Sequence, residues 1–307
     1  MKLRARKVNN YDLYANHAWY VPGVGSMFSL LGMFLLGTLL GSIVVAVLGL
    51  FVPPQIVTQY GMLVTYPLSF MPAMIYAASK SQRNSLFEAG LKLNSSHWGP
   101  FKAWEIALIT VALSYATMVV ADLPNYLSYR VTTQVPWLNS AYELVMKMLD
   151  QVTEGPFWSS FLLTAIFAPV FEEWLCRGMV LRGLLSKLKP GWAIVISALF
   201  FAVIHMNPWQ ALNAFVIGLV MGYVYYKTGS LLLTMLIHFV NNGSCVVMGQ
   251  IPALQDYDYW IDMMDRTTYV LCYVVGVIVL IACLWAFKRI PLEKSMGNVD
   301  SVELKID

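Results

Sequence analysis

The sequence predicts an all-α fold, a polytopic membrane bundle of about eight transmembrane helices with both termini cytoplasmic. Three observations carry that prediction. Of 307 residues, 58% are apolar and 12% charged, about half the charged share of an ordinary soluble domain, and the mean hydropathy is +0.62. Apolar runs recur at the length of about 20 residues that crosses roughly 30 Å of hydrocarbon. The basic residues fall on one side of the resulting topology. The same composition excludes a disordered chain and a secreted disulfide scaffold. The net charge of +3 is spread along the sequence instead of forming a patch, which argues against nucleic acid as a partner.

In chain order, the predicted spans are Ser26–Val52, Tyr60–Ser79, Phe101–Ala121, Phe157–Leu188, Gly191–Met206, Trp209–Lys227, Gly229–Gly249 and Thr267–Phe287. Trp137–Leu149 is shorter and amphipathic, and reads as an interfacial helix within an outer loop, Asp122–Pro156. With the N-terminus inside, 16 of the 20 basic residues lie in cytoplasmic segments; Arg130, Lys147 and Arg266 lie outside and Arg177 lies within a span. No cleavable signal peptide is expected, because polar and aromatic residues Tyr11–Tyr20 follow the basic start and the first apolar run is too long. The second outer loop, Gln250–Arg266, is acidic and aromatic, as at a membrane interface. The chain thus divides into a cytoplasmic segment (1–25), N-terminal helices with an outer loop (26–156), a helical core (157–249), and a final loop, helix and cytoplasmic tail (250–307). Cys176, Cys245, Cys272 and Cys283 all lie in spans without CxxC spacing, so no disulfide framework or thiolate zinc site is expected. The GxxxG pairs Gly37/Gly41 and Gly218/Gly222 suit close helix packing.

Ionisable residues inside spans cost roughly 2.5–3.5 kcal/mol each on insertion scales and are functional candidates by default. They concentrate in three helices, as Glu172-Glu173 followed by Arg177, Phe201 followed by His205, and His238 followed by Asn242. At about 100° per residue, Glu173 and Arg177 lie roughly 40° apart with the acid first, the favoured order for an ion pair. Glu172 lies about 140° from Arg177 and is less easily neutralised by it. The pair Glu173–Arg177 is therefore assigned to orientation and Glu172 to chemistry. Pro169 removes a backbone hydrogen bond just upstream and can kink the helix beside the site. His238 and Asn242 share a face, and Phe201 sits one turn before His205, where it could wall the site and touch substrate.

A carboxylate beside an imidazole suits general-base catalysis on water, and His and Asn side chains can donate to an oxyanion. Together they suffice to hydrolyse an amide inside the membrane. HExxH, GxSxG and a GxGD-type motif are absent. Cys176 shares a face with Glu172, but a buried cysteine is usually a small hydrophobe. Counted at about 1.5 Å per residue, Glu172 and His205 fall at different depths, so the count along straight helices does not by itself bring them together. A transporter with a midplane polar site and a non-catalytic membrane scaffold are the competing readings; the first would more often show two similar halves with broken helices.

The ordered trio resembles the CPBP family, the CAAX-processing and bacteriocin-processing intramembrane proteases, also called Abi or Rce1-like. Its pattern of EExxxR, FxxxH and HxxxN or HxxxD is matched at Glu172, Glu173 and Arg177, at Phe201 and His205, and at His238 and Asn242. The resemblance covers about Phe157–Gly249, and eight spans also suit the fold it implies. It implies that Glu172 and His205 activate the attacking water while His238 and Asn242 stabilise the oxyanion. The substrate implied is a membrane-embedded peptide or lipidated protein, in CAAX-type processing, peptide maturation or bacteriocin immunity. The family is described both as metalloproteases and as glutamate proteases without metal. Two readings therefore stand, one with no cofactor and one with a zinc ion on Glu172, His205 and His238. An integral, multi-pass location follows, in the plasma membrane if the source is a bacterium.

Overall fold

The computed structural model describes residues 22–80, 98–153, 156–185, 187–254 and 257–292, and the side chains of all of these but 148–153. Ten helices and no strand occur among them. They are α1 (Val24–Leu48), α2 (Pro54–Ser79), α3 (Ala103–Thr133), α4 (Pro136–Thr153), α5 (Phe157–Leu185), α6 (Pro190–Ile204), α7 (Pro208–Thr228), α8 (Leu231–Met248), α9 (Trp260–Met263) and α10 (Arg266–Lys288). Six of them, α1, α2, α3, α5, α8 and α10, are long and apolar enough to cross a membrane. Each of the eight predicted spans corresponds to a helix. The other two differ for separate reasons: α6 has 15 residues and is too short to cross untilted, and α7 has 21 residues but carries Gln210, Asn213 and Lys227. The protein is a multi-pass integral membrane protein. The expected cytoplasmic ends lie for the most part outside the described residues.

The outer loop Asp122–Pro156 differs from expectation, because α3 runs on to Thr133 and α4 follows almost at once. Asp122 does not end the helix because its carboxylate has partners across the bundle. It accepts from the Trp260 backbone N–H at 2.8 Å and from the Tyr269 hydroxyl at 2.9 Å. A buried carboxylate so satisfied can sit inside a helix. The amphipathic α4 covers Trp137–Leu149 as predicted, and its Tyr142 packs on Tyr129 and Trp209, with ring centroids 5.3 Å apart in both cases.

Small residues set how closely the helices approach. A Cβ at Gly37 would overlap the Ser69 carbonyl oxygen, and one at Gly41 would stand 3.0 Å from that of Thr65, so α1 lies almost backbone to backbone on α2. Gly218 of α7 packs on Ala198 of α6, and Gly222 makes room for the side chain of Ile194. Both GxxxG pairs are thus used within the bundle. The outward faces of α1 and α10 expose Leu35, Leu39, Ile43, Val274, Ile278 and Ile281, as helices surrounded by lipid tails do.

Helix α5 forms the centre, and its geometry is irregular for a local reason. Leu162–Phe167 and Trp174–Leu181 are π-helical, flanking the α-helical Ala168–Glu173. In the first π segment the Ala168 N–H reaches the carbonyl of Leu163, five residues back. The next donor in that register would be residue 169, a proline with no N–H. The carbonyl of Thr164 is therefore left without a backbone donor. The sharp connection from α7 to α8 is closed by Gly229, with φ 61°, followed by Ser230, whose hydroxyl accepts from the Leu233 N–H.

The clamp between α1 and α2 is testable. Gly37→Ala should destabilise the protein by about 1–3 kcal/mol through overpacking, whereas Gly32→Ala, where a Cβ meets nothing within 4 Å, should leave it as stable or raise its stability by up to about 1 kcal/mol. Thermal unfolding of both variants in one detergent measures the difference.

Candidate active site

Arg177 has no exposed surface, and neither does Glu173. One guanidinium nitrogen of Arg177 donates to Glu173 Oε1 at 2.6 Å, and the other donates to the Gly218 carbonyl at 3.1 Å. Its Cζ lies 4.4 Å from the ring centroid of Phe201, a cation–π contact away from water. Arg177 pairs with Glu173 and not with Glu172. The same Glu173 Oε1 accepts from His238 Nδ1 at 3.2 Å. A carboxylate already engaged by arginine only accepts, so the proton of His238 sits on Nδ1 and Nε2 turns towards the cavity.

His205 reaches the same state by another route. It caps the C-terminus of α6, where its N–H bonds to Val203 and leaves the Phe201 carbonyl among the last unpaired ones. The imidazole Nδ1 fills that gap, donating to Phe201 O at 2.7 Å. Again Nε2 is left without a proton in the neutral ring. The turn beyond it is tight: Met206 holds φ 51°, and the Asn207 side chain accepts from the Trp209 N–H at 3.1 Å to open α7.

The two Nε2 atoms converge on one carboxylate oxygen. Glu172 Oε2 lies 3.9 Å from His205 Nε2 and 3.9 Å from His238 Nε2. It is buried and has no hydrogen-bond partner among the described residues. These distances exceed a hydrogen bond and suit a water molecule that bridges the three atoms. The other oxygen, Oε1, accepts from the hydroxyl of Tyr66 on α2. Phe201, expected as a wall, is 2% exposed and stands edge-on to both imidazoles, at 4.8 Å from His205 and 5.5 Å from His238.

Asn242 lies one turn beyond His238 and fills the gap left by Pro169, with its Nδ2 donating to the Thr164 carbonyl at 2.9 Å. Asn241 donates in turn to Asn242 Oδ1 at 2.9 Å. Tyr66, Thr164, Glu172, Phe201, His205, His238, Asn241 and Asn242 border one cavity of about 420 Å³, which Gln210 and Asn213 of α7 also line and which Glu173 and Arg177 do not. The predicted residues Glu172, Glu173, Arg177, Phe201, His205, His238 and Asn242 are thus in one place. The structure brings Glu172 and His205 together although the count along straight helices put them at different depths. The sequence reading missed Tyr66, Gln210, Asn213 and the Thr164 carbonyl, and gave Asn241 no role. Only the carbonyl had a local signal, in Pro169; a tyrosine in an aromatic-rich span has none.

Residues 154–244 match the family described as type II CAAX prenyl endopeptidase, Rce1-like. The chain carries an Rce1-like domain. This is consistent with the CPBP family, and an Rce1-like domain is that of a CAAX-type intramembrane endopeptidase. No curated protein and no solved structure matches the chain. The Rce1-like domain takes in α5, α6 and α7 and most of α8, with both imidazoles, both glutamates and Asn242, and leaves out α1 to α3 and α10.

Two measurements bear on this arrangement. Arg177→Ala leaves Glu173 buried without its counter-charge and should cost about 3–5 kcal/mol in thermal or denaturant unfolding. Asn242→Ala strips the Thr164 carbonyl of its donor and should cost about 1–3 kcal/mol. That second loss should shrink in a Pro169→Ala background, where residue 169 regains an N–H, and a double-mutant cycle reads the coupling.

Proposed function

We propose that the Rce1-like domain hydrolyses a peptide bond of a membrane-embedded or lipidated peptide, using water activated between Glu172 and His205. The observation that carries this reading is the convergence of the Nε2 atoms of His205 and His238 on Glu172 Oε2, each at 3.9 Å, within a cavity. A water held there gives up a proton to Glu172 Oε2 while its second hydrogen is held by His205 Nε2. Its oxygen bonds to the scissile carbonyl carbon, and the carbonyl oxygen takes the negative charge. Asn242 supports that oxygen with the Nδ2 hydrogen not given to Thr164. His238 donates to it when a proton sits on Nε2, with Glu173 accepting from Nδ1. The carbon–nitrogen bond then breaks, and the proton taken by Glu172 passes to the leaving amine.

A zinc ion is the alternative activator. Bare Nε2 atoms whose Nδ1–H groups are held by acceptors are the donor type that zinc prefers. The spacing fits less well. Tetrahedral bonds of about 2.0–2.1 Å set neighbouring donors about 3.3 Å apart, against 3.9 Å here. Among the described residues no group of three His, Cys, Asp or Glu is disposed to hold a metal.

The test is cleavage by the full chain in liposomes, with prenylated CAAX peptides and unprenylated membrane-tethered peptides offered side by side. Glu172→Gln and His205→Ala should each lower the rate by about 10²–10⁴-fold, and a chelator should leave wild-type cleavage intact. Loss to chelator that zinc restores would overturn the metal-free mechanism. Unimpaired cleavage by both variants would overturn the assignment of the site.

A further inference from the structure

The Rce1-like match ends well short of α2, yet α2 supplies a contact to the carboxylate at the centre of the site. A glutamate carboxylate turns easily about its last torsion, because a bond between tetrahedral and planar carbons has only a broad preference. Glu172 has one oxygen facing the two imidazoles and one facing away. The oxygen facing away, Oε1, accepts from the Tyr66 hydroxyl, a charge-assisted bond in a water-poor place. Oε2 has no such restraint among the described residues. Fixing Oε1 therefore fixes the plane of the group and the direction of Oε2.

Tyr66 is itself held from several sides. Its ring lies 5.4 Å from Phe70 and 6.5 Å from Phe171, and Phe70 stacks on Phe171 at 5.4 Å while meeting Phe34 of α1 at 5.0 Å. The next residue is Pro67, whose ring restricts the backbone at that point. Three residues beyond Tyr66, the Ser69 carbonyl sits where Gly37 lets α1 close in. The phenol is thus braced on the α1–α2 hairpin and also borders the cavity.

We propose that Tyr66 is a positioning residue of this active site, holding Glu172 so that Oε2 faces Nε2 of His205 and His238. The proposal rests on Glu172 acting as the base. It makes the α1–α2 hairpin a working part of the catalytic apparatus, although the family match does not include it.

Tyr66→Phe keeps the ring packing and removes only the hydroxyl. With a farnesylated, fluorescence-quenched CAAX peptide and the full chain in nanodiscs, kcat should fall about 10–100-fold, the scale of a small misplacement of a catalytic group. KM should change less than twofold, and Tm should fall by only the few degrees that loss of one hydrogen bond entails. Infrared difference spectra give a readout independent of cleavage. The carboxylate band of Glu172, identified by its loss in Glu172→Gln, should shift in Tyr66→Phe. An unshifted band, an unchanged kcat, or a rise in KM at constant kcat would overturn the proposal while leaving Glu172 as base if Glu172→Gln is inactive. Cleavage that survives Glu172→Gln, or wild type that cleaves neither this peptide nor an unprenylated tethered one, would overturn the reading of the base and this proposal with it, even if the band shifts.

Discussion

The buried guanidinium of Arg177 is the contact on which the rest of the site depends. It sits on α5, pairs with Glu173 of the same helix, bonds to the Gly218 carbonyl of α7, and covers the ring of Phe201 on α6. Through Glu173 it also sets the ring of His238 on α8. Four helices are tied by one charge that lipid does not solvate. Removing one partner of such a charge is costly, so these contacts hold α5, α6, α7 and α8 against one another. The imidazole that faces Glu172 is oriented by this cluster, which links the packing of the core to the chemistry proposed for it.

The second constraint is the backbone of α5. A proline inside a membrane helix leaves a carbonyl without a donor, and no water from the hydrocarbon can replace it. Here the helix widens into π turns on either side of the Glu172–Glu173 pair, and Asn242 of α8 supplies the missing donor to Thr164. The side chain expected at the oxyanion is therefore also a structural tie between α5 and α8. One hydrogen of its amide serves the backbone and the other is available to the cavity, so a single residue links helix integrity to the site.

The α1–α2 hairpin brings a third element to bear. Helix α1 faces lipid over much of its surface and holds none of the ionisable residues, yet its glycines allow α2 to lie close. Helix α2 in turn carries Tyr66 to Glu172. Aromatic packing through Phe34, Phe70 and Phe171 joins the hairpin to the core.

The sequence by itself determined the features that arise from local spacing. Apolar run length marked each membrane helix, and the i,i+4 period placed Glu173 beside Arg177 and left Glu172 unpaired with it, because helical geometry relates neighbours along one chain. The same period grouped Phe201 with His205 and His238 with Asn242. Tertiary structure decided what depends on residues far apart. It extended α3 past Asp122, whose partners Trp260 and Tyr269 come from the other end of the chain. It brought three helices to one carboxylate oxygen, where counting along straight helices put the groups at different depths. It also chose Tyr66 from among the tyrosines of the spans. No local pattern distinguishes a tyrosine that meets a buried carboxylate from one that meets lipid, since the difference lies in which helix packs beside it.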